Sequence, residues 1–248
     1  MTLEETLAQI KPLDKNAMDV AAKRWDSIAK PLHSLGKMEK LVIQIAGITG
    51  NPDMKIQKRA LVPMCADNGV VEEGVTQTGQ EVTAIVAENF LSGDTSACVM
   101  SRQCGTKVIP VDIGMAVDTK VSKELKVAYG TANMTKGPAM TRAQAVQALE
   151  AGIEMVRRLK EEGYGLLATG EMGIGNTTTS SAVASVLLDR SVEEMTGRGA
   201  GLSGDGLNRK SMHQKAIEVN QPDPKDAIGV LAKLVVLILQ VWQDVPWR

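Results

Sequence analysis

Aromatic side chains are scarce in this chain of 248 residues: one Phe, two Tyr and three Trp amount to 2%. Proteins that stack single-stranded nucleic acid need rows of rings, so that class is excluded. Positive charge is not in excess either. Lys and Arg number 28 against 29 Asp and Glu, a formal net charge of -1, which removes the basic footprint of duplex binding. Histidine occurs twice, as His33 and His213, too few and too far apart for a zinc site or a Ser/His/Asp triad. No metal or cofactor is expected. The three cysteines, Cys65, Cys98 and Cys104, show no C-x-x-C spacing, and their odd count fits reduced thiols in the cytoplasm. The opening MTLEETLAQIKPLD carries acidic residues early and has no long apolar core, so neither a signal peptide nor a membrane partner is expected.

What is present is an ordinary globular composition, 44% apolar and 23% charged, enough for one large or two modest domains. Three helical patterns fill the first fifty residues: Leu3 to Ile10, a second capped by Asp14 that runs to Ile28, and Met38 to Ile48. Then the period changes. Arg59 to Ala66 (RALVPMCA) and Lys107 to Ile113 (KVIPVDI) read as strands, with helices Glu81 to Leu91 and one capped by Asp94 between them. Pro63 suits an edge strand or a bulge. A weaker strand is expected at Leu125 to Tyr129. Thr141 and Gln144 form a capping box for a helix that buries Ala145, Leu149, Ile153, Val156 and Leu159 and stops at Gly163. Such alternation predicts an α/β fold, a Rossmann-like parallel sheet flanked by helices, with a small N-terminal helical subdomain. The expected boundaries are 1–50 for the helical subdomain, 51–233 for the α/β domain and 234–248 for an apolar tail.

The most informative stretch is Leu166 to Ala182, LLATGEMGIGNTTTSSA. Leu166 to Ala168 reads as a short buried strand, Gly170, Gly173 and Gly175 as a loop that turns tightly and approaches a ligand, and Asn176 to Thr179 as the start of a helix. Backbone amides at a helix N-terminus are an anion site, so a phosphate is expected on Gly173, Ile174, Gly175, Asn176 and Thr177. Two commoner motifs fail here. Asn176 stands where a Walker A loop needs lysine, and Thr178 stands at the third glycine of the dinucleotide fingerprint. Glu171 either orients a ligand from this loop or bonds to nearby amides. The first strand also opens into polar residues, Asp67 and Asn68, then Gly69, Glu72 and Glu73. Parallel sheets bind ligands at these carboxyl ends. A second glycine-rich segment, Gly197 to Gly206, is either a flexible loop or another close approach of backbone to a ligand, and Lys210, on the helix from Leu207 to Val219 that follows it, is either a solvated surface charge or a functional one. Ser191 and Glu194 form a further capping box.

With these residues laid out, the chain resembles the nicotinate-nucleotide:dimethylbenzimidazole phosphoribosyltransferases of cobalamin biosynthesis. The resemblance rests on CADNGVVEEGV (Cys65 to Val75), VTAIVAENF (Val82 to Phe90), VDIG (Val111 to Gly114), GPAMTRAQA (Gly137 to Ala145), GEMGIGNTTTSSA (Gly170 to Ala182) and NQPDPKDAIGVLAK (Asn220 to Lys233). It implies transfer of phosphoribose from nicotinate mononucleotide to dimethylbenzimidazole in a homodimer, without metal, with a carboxylate as general base. Glu171 then has a supporting catalytic role, and Asp67, Asn68 and Lys210 join the glycine loop in binding substrate.

Three departures stand out. Lys30 to Gly36 reads KPLHSLG where the family has K-P-P-G-S-L-G, and Asn68 replaces the family's histidine. After Lys233 the family continues V-G-G-x-[DE]-I-A-G toward its catalytic glutamate, whereas this chain reads LVVLILQVWQ from Leu234 to Gln243. Codons for Val-Gly-Gly-Leu-Asp-Ile-Ala-Gly-Met-Ala spell those ten residues when read one base later. The expectation is a frameshift, with retained nucleotide affinity, impaired turnover and an aggregation-prone tail.

Overall fold

The structure is a computed structural model that describes residues 1–196 and 206–235, without the side chains of 206–211. These residues form two compact units, the first Met1–Gln57 and the second starting at Lys58.

The first unit is helical. Helix α1 (Leu3–Ala8) starts at a Thr2/Glu5 capping box that the sequence reading passed over, α2 (Lys15–Ser27) at Asp14, whose carboxylate accepts from Ala17 N, and α3 (Lys37–Thr49) ends at Gly50 in the left-handed region. Helices α2 and α3 pack together. Between them the chain from Lys30 to Leu35 folds onto one buried carboxylate. Glu39 accepts from Lys30 Nζ at 2.8 Å and from Leu35 N at 3.1 Å, and the Lys30 bond foremost lowers its pKa.

The second unit is built on a parallel sheet with β1 (Arg59–Ala66) in the middle. On one side β1 pairs with β4 (Leu166–Met172) along its length. On the other side it pairs first with β2 (Lys107–Val108) and then with β3 (Val111–Gly114). The register is the same across the break (Ala60 with Lys107, Met64 with Val111), so KVIPVDI is one course interrupted at Ile109-Pro110. Proline has no N–H to give to a ladder.

That break accounts for Pro63, which lies in the middle strand and not at the edge or bulge its residue type suggests. Leu61 O accepts from Ile109 N at 2.9 Å, so the backbone groups of Leu61, and two residues on those of Pro63, face the interrupted course. The constant register puts Pro110 opposite Pro63. The N–H that Pro63 lacks is thus missing where the partner course is itself interrupted. On the other flank Pro63 pairs with Gly170, where a Cβ would come within 3.0 Å of Pro63 Cα. Gly170 is therefore a strand residue that lets β4 lie close to Pro63, not part of a turn. The strand expected over Leu166 to Ala168 runs on to Met172, with Leu166 43% exposed. β4 is an edge among the described residues, and only Leu167 of its first three residues is buried.

Helices flank the sheet. α4 (Glu81–Ser92) and α5 (Ser96–Gln103) bring Ala87, Phe90 and Cys98 onto Cys65 and Met115. The cap of α5 is Thr95, one residue beyond the expected Asp94, whose carboxylate takes the Ser92 hydroxyl instead. α6 (Arg142–Glu161) has the expected Thr141/Gln144 capping box and buries all five anticipated apolar residues. Beyond β4 come α7 (Asn176–Leu187), α8 (Val192–Met195), α9 (Gly206–Asn220) and α10 (Ala227–Leu234), the last packed on α6 and α7. Ser191 caps α8 by accepting from Glu194 N. No strand forms at Leu125 to Tyr129; a backbone bond from Val127 N to Ile113 O and the Lys126–Asp112 ion pair tie that segment to β3. Of the anticipated tail 234–248, Leu234 closes α10 and is buried with Val235, and 236–248 lie outside the described residues.

Gly69 marks the tightest crossing of the unit. A Cβ there would meet Ala132 C at 2.5 Å and Asn133 N at 2.6 Å, both backbone atoms that cannot rotate away. Gly69→Ala should therefore cost ~1–3 kcal/mol, as overpacking does. Urea unfolding measures it, and a wild-type midpoint would show that the 131–133 segment yields freely.

Candidate active site

Parallel pairing brings three strand courses to one level: β1 ends at Ala66, β3 at Gly114 and β4 at Met172. The residues that follow each end meet there. Asp67 and Asn68, both buried, leave β1. Asp67 N bonds Gly114 O at 3.0 Å, Thr131 N bonds Asp67 O at 3.1 Å, and Asp67 Oδ2 accepts from Ala116 N at 2.8 Å. On β3, Asp112 is fully buried, accepts from Met115 N at 2.8 Å and lies 3.0 Å from Lys126 Nζ. The Lys126 ammonium is itself buried, 3.9 Å from the centre of the Tyr129 ring.

Burial pushes both carboxyl pKa values up, opposed at Asp67 by the Ala116 amide, the Thr83 hydroxyl and Lys126, and at Asp112 by the Met115 amide and Lys126. The same burial, reinforced by Asp112 and Asp67, raises the Cys65 thiol to about 12. That sulfur is no nucleophile.

The glycine loop closes over this level. Gly173 and Gly175 are buried, Ile174 and Asn176 half-buried, Thr177 exposed. Asn68 Nδ2 donates to Ile174 O at 2.7 Å, and Ile174 N donates to Thr83 Oγ1 at 3.1 Å. Gly175 adopts φ +91°, with Val71 and Asn68 so near that an added Cβ would meet them at 3.0 and 3.3 Å. Asn176 N turns back to Gly173 O, and no side chain caps α7. Its dipole end is therefore open at Thr177.

Glu171 lies in β4 and not in the loop. Crowding by the protein raises its pKa, and a hydrogen bond with the Asn176 side chain pulls the other way. The structure thus brings Glu171, Asn176 and Thr177 to one open rim and sets Asp67 and Asn68 behind it. Asn68 Oδ1 is left without a hydrogen-bond partner among the described residues. Glu72 and Glu73 stand aside, tied to Lys136, Asn133 and Thr135. Lys210 belongs to α9, and its side chain lies outside the described residues.

Two residues escaped the sequence reading: Thr83, and Gln80, whose Nε2 donates to Asn68 O at 2.8 Å. Both sit at the start of α4. Thr83 fell within the quoted block VTAIVAENF, which was the only signal available. A separate cavity of about 710 Å³ is lined by the GPAMT stretch and α10, including Ala132, Met140, Ala232 and the Arg142–Asp226 ion pair at 2.7 Å. None of the anion-site residues lines it. Among the described residues no cluster of three His, Cys, Asp or Glu could hold a metal, and no helix is long and apolar enough to cross a membrane.

A parallel sheet with a glycine loop at its carboxyl end, and a helix N-terminus that no side chain caps among the described residues, defines an α/β protein whose backbone could hold an anion there. A family model described as phosphoribosyltransferase matches residues 10–237. The nicotinate-nucleotide:dimethylbenzimidazole phosphoribosyltransferase of Clostridium tetani is 49% identical over 235 residues, covering 94% of this chain and 65% of its own length. That of Ruminiclostridium cellulolyticum is also 49% identical, covering 94% and 67%. The crystal structure of CobT from Thermus thermophilus superposes with a TM-score of 0.83 at 34% identity, over 91% of this chain and 69% of that one. The chain belongs to this phosphoribosyltransferase family. It spans about two thirds of the length of these relatives.

A carboxyl raised by burial favours the fold while protonated. Its contribution is complete below the ordinary carboxylate range of the unfolded chain and is lost as pH rises through the folded value. Asp67→Asn keeps an oxygen for Ala116 N and cannot ionise. It should gain stability relative to wild type as pH rises from the ordinary carboxylate range through the raised folded value. Urea midpoints that differ by a constant amount across that range would show that Asp67 is not strained by its charge.

Proposed function

We propose that this chain transfers the phosphoribosyl group of nicotinate mononucleotide to dimethylbenzimidazole, giving α-ribazole phosphate and nicotinate for the lower nucleotide loop of cobalamin. The observation that carries the proposal is the pinned glycine loop with the open start of α7 at the carboxyl end of the sheet. In this reading the 5′-phosphate rests on the amides at the start of α7, with the Thr177 amide and Asn176 side chain foremost, and Lys210 supplies a cation on grounds of sequence position alone. A benzimidazole nitrogen attacks C1′ as the C1′–N bond to the nicotinate ring breaks and its electron pair returns to that ring. The proton on the other benzimidazole nitrogen passes to a carboxylate. Glu171 is at the rim with its pKa raised, which suits a supporting part in that proton transfer.

We further propose a homodimer working in the cytoplasm, a compartment with which three free cysteines agree.

The test is nicotinate release from nicotinate mononucleotide with and without dimethylbenzimidazole. Release that depends on the acceptor is expected; a folded protein that neither releases nicotinate nor binds the nucleotide in calorimetry overturns the proposal. Gly175→Val forces a side chain onto a φ of +91° and against Val71 and Asn68. It should abolish nucleotide binding, and undiminished binding would move the phosphate elsewhere.

A further inference from the structure

The peptide groups of Ile174 sit between two glycines, where the backbone has its widest conformational choice. Yet both polar atoms of this residue are held by buried side chains from distant elements. Asn68, at the end of β1 and 0% exposed, takes the carbonyl at 2.7 Å; Thr83, in the first turn of α4 and 0% exposed, takes the amide at 3.1 Å. The Thr83 hydroxyl also faces the Asp67 carboxyl and lowers its pKa, and Asn68 is itself held through its carbonyl by Gln80, the N-cap residue of α4, whose side chain makes no cap bond. Both are too deeply buried to meet a nucleotide arriving from solvent.

A loop fixed in this way offers its amides in one geometry before any ligand arrives, which lowers the ordering cost of binding. We propose that Asn68 and Thr83 are positioning residues: they clamp Ile174, and thereby aim the start of α7 at the anion without touching it. The identity of the ligand rests on the phosphoribosyl reading above; the clamp does not.

The experiment compares Thr83→Val, which keeps the shape and loses the hydroxyl, with Thr83→Ser, which restores it. Three quantities are measured on the whole chain: amide hydrogen exchange at Ile174, calorimetric affinity for nicotinate mononucleotide, and the thermal midpoint. In Thr83→Val, Ile174 exchange should rise and affinity fall by about tenfold each, the order expected for losing one buried hydrogen bond. The midpoint should move by only a few degrees, and Thr83→Ser should recover both losses. Unchanged exchange at Ile174 overturns the clamp. Faster exchange with intact affinity, or a loss that serine does not rescue, overturns the positioning role. If the wild type binds no nucleotide, the phosphoribosyl reading falls while Ile174 exchange still decides the clamp. Should Thr83→Val fail to fold, Asn68→Asp carries the same comparison, because it sets an acceptor against Ile174 O.

Discussion

A middle strand in a parallel sheet must satisfy its backbone on both sides, and β1 meets that demand while carrying a proline. Its donors toward β4 are complete along seven consecutive pairs, from Arg59 with Leu166 to Cys65 with Met172. Toward β2 and β3 the ladder is cut where Pro63 faces Pro110, so the missing N–H falls where the partner course is interrupted too. Because the register survives the cut, β1, β3 and β4 still end level. That shared level brings the polypeptide after Ala66, after Gly114 and after Met172 into one place. Each later feature of the site, from the buried acids to the glycine loop, depends on it.

The acids at this level divide by burial. Asp67 and Asp112 are sealed in, each spends an oxygen on an amide of the Met115–Ala116 turn, and one buried lysine serves the pair. They hold the chain that leaves β3, and their charges add to the burial that keeps Cys65 a thiol. Glu171 is the acid left at the rim. A carboxylate in that position, with only Asn176 opposing its raised pKa, is chemically accessible in a way the other two are not.

Legibility in the sequence followed the range of the interactions concerned. The start and buried stripe of α6 were readable because the Thr141/Gln144 box and the 3.6-residue period are local. The parallel α/β class was readable from alternation. What failed was decided across long separations. β4 is twice as long as its apolar letters suggested, since pairing with β1 draws Gly170 and Glu171 into the strand. Pro63 sits in the middle strand where the partner course is interrupted between Val108 and Val111. At α5 two adjacent residues could cap, and the choice fell to Thr95 when Ser92 engaged Asp94. Thr83 acts on a residue 91 positions away, and only its place in VTAIVAENF marked it. The Asn68 amide likewise donates to a residue 106 positions away.

The outer side of β4 has a consequence for handling the molecule. Among the described residues it has no neighbouring strand, although its inner side is fully paired, and Leu166, Ala168 and Thr169 are exposed along it. Outer amides and carbonyls that meet no strand among the described residues are a template on which another extended chain can crystallise strand by strand. Colloidal behaviour is then a matter of how often two such edges meet. Dilution, or a lysine set into the exposed row, acts on that encounter without disturbing the face where the strands end.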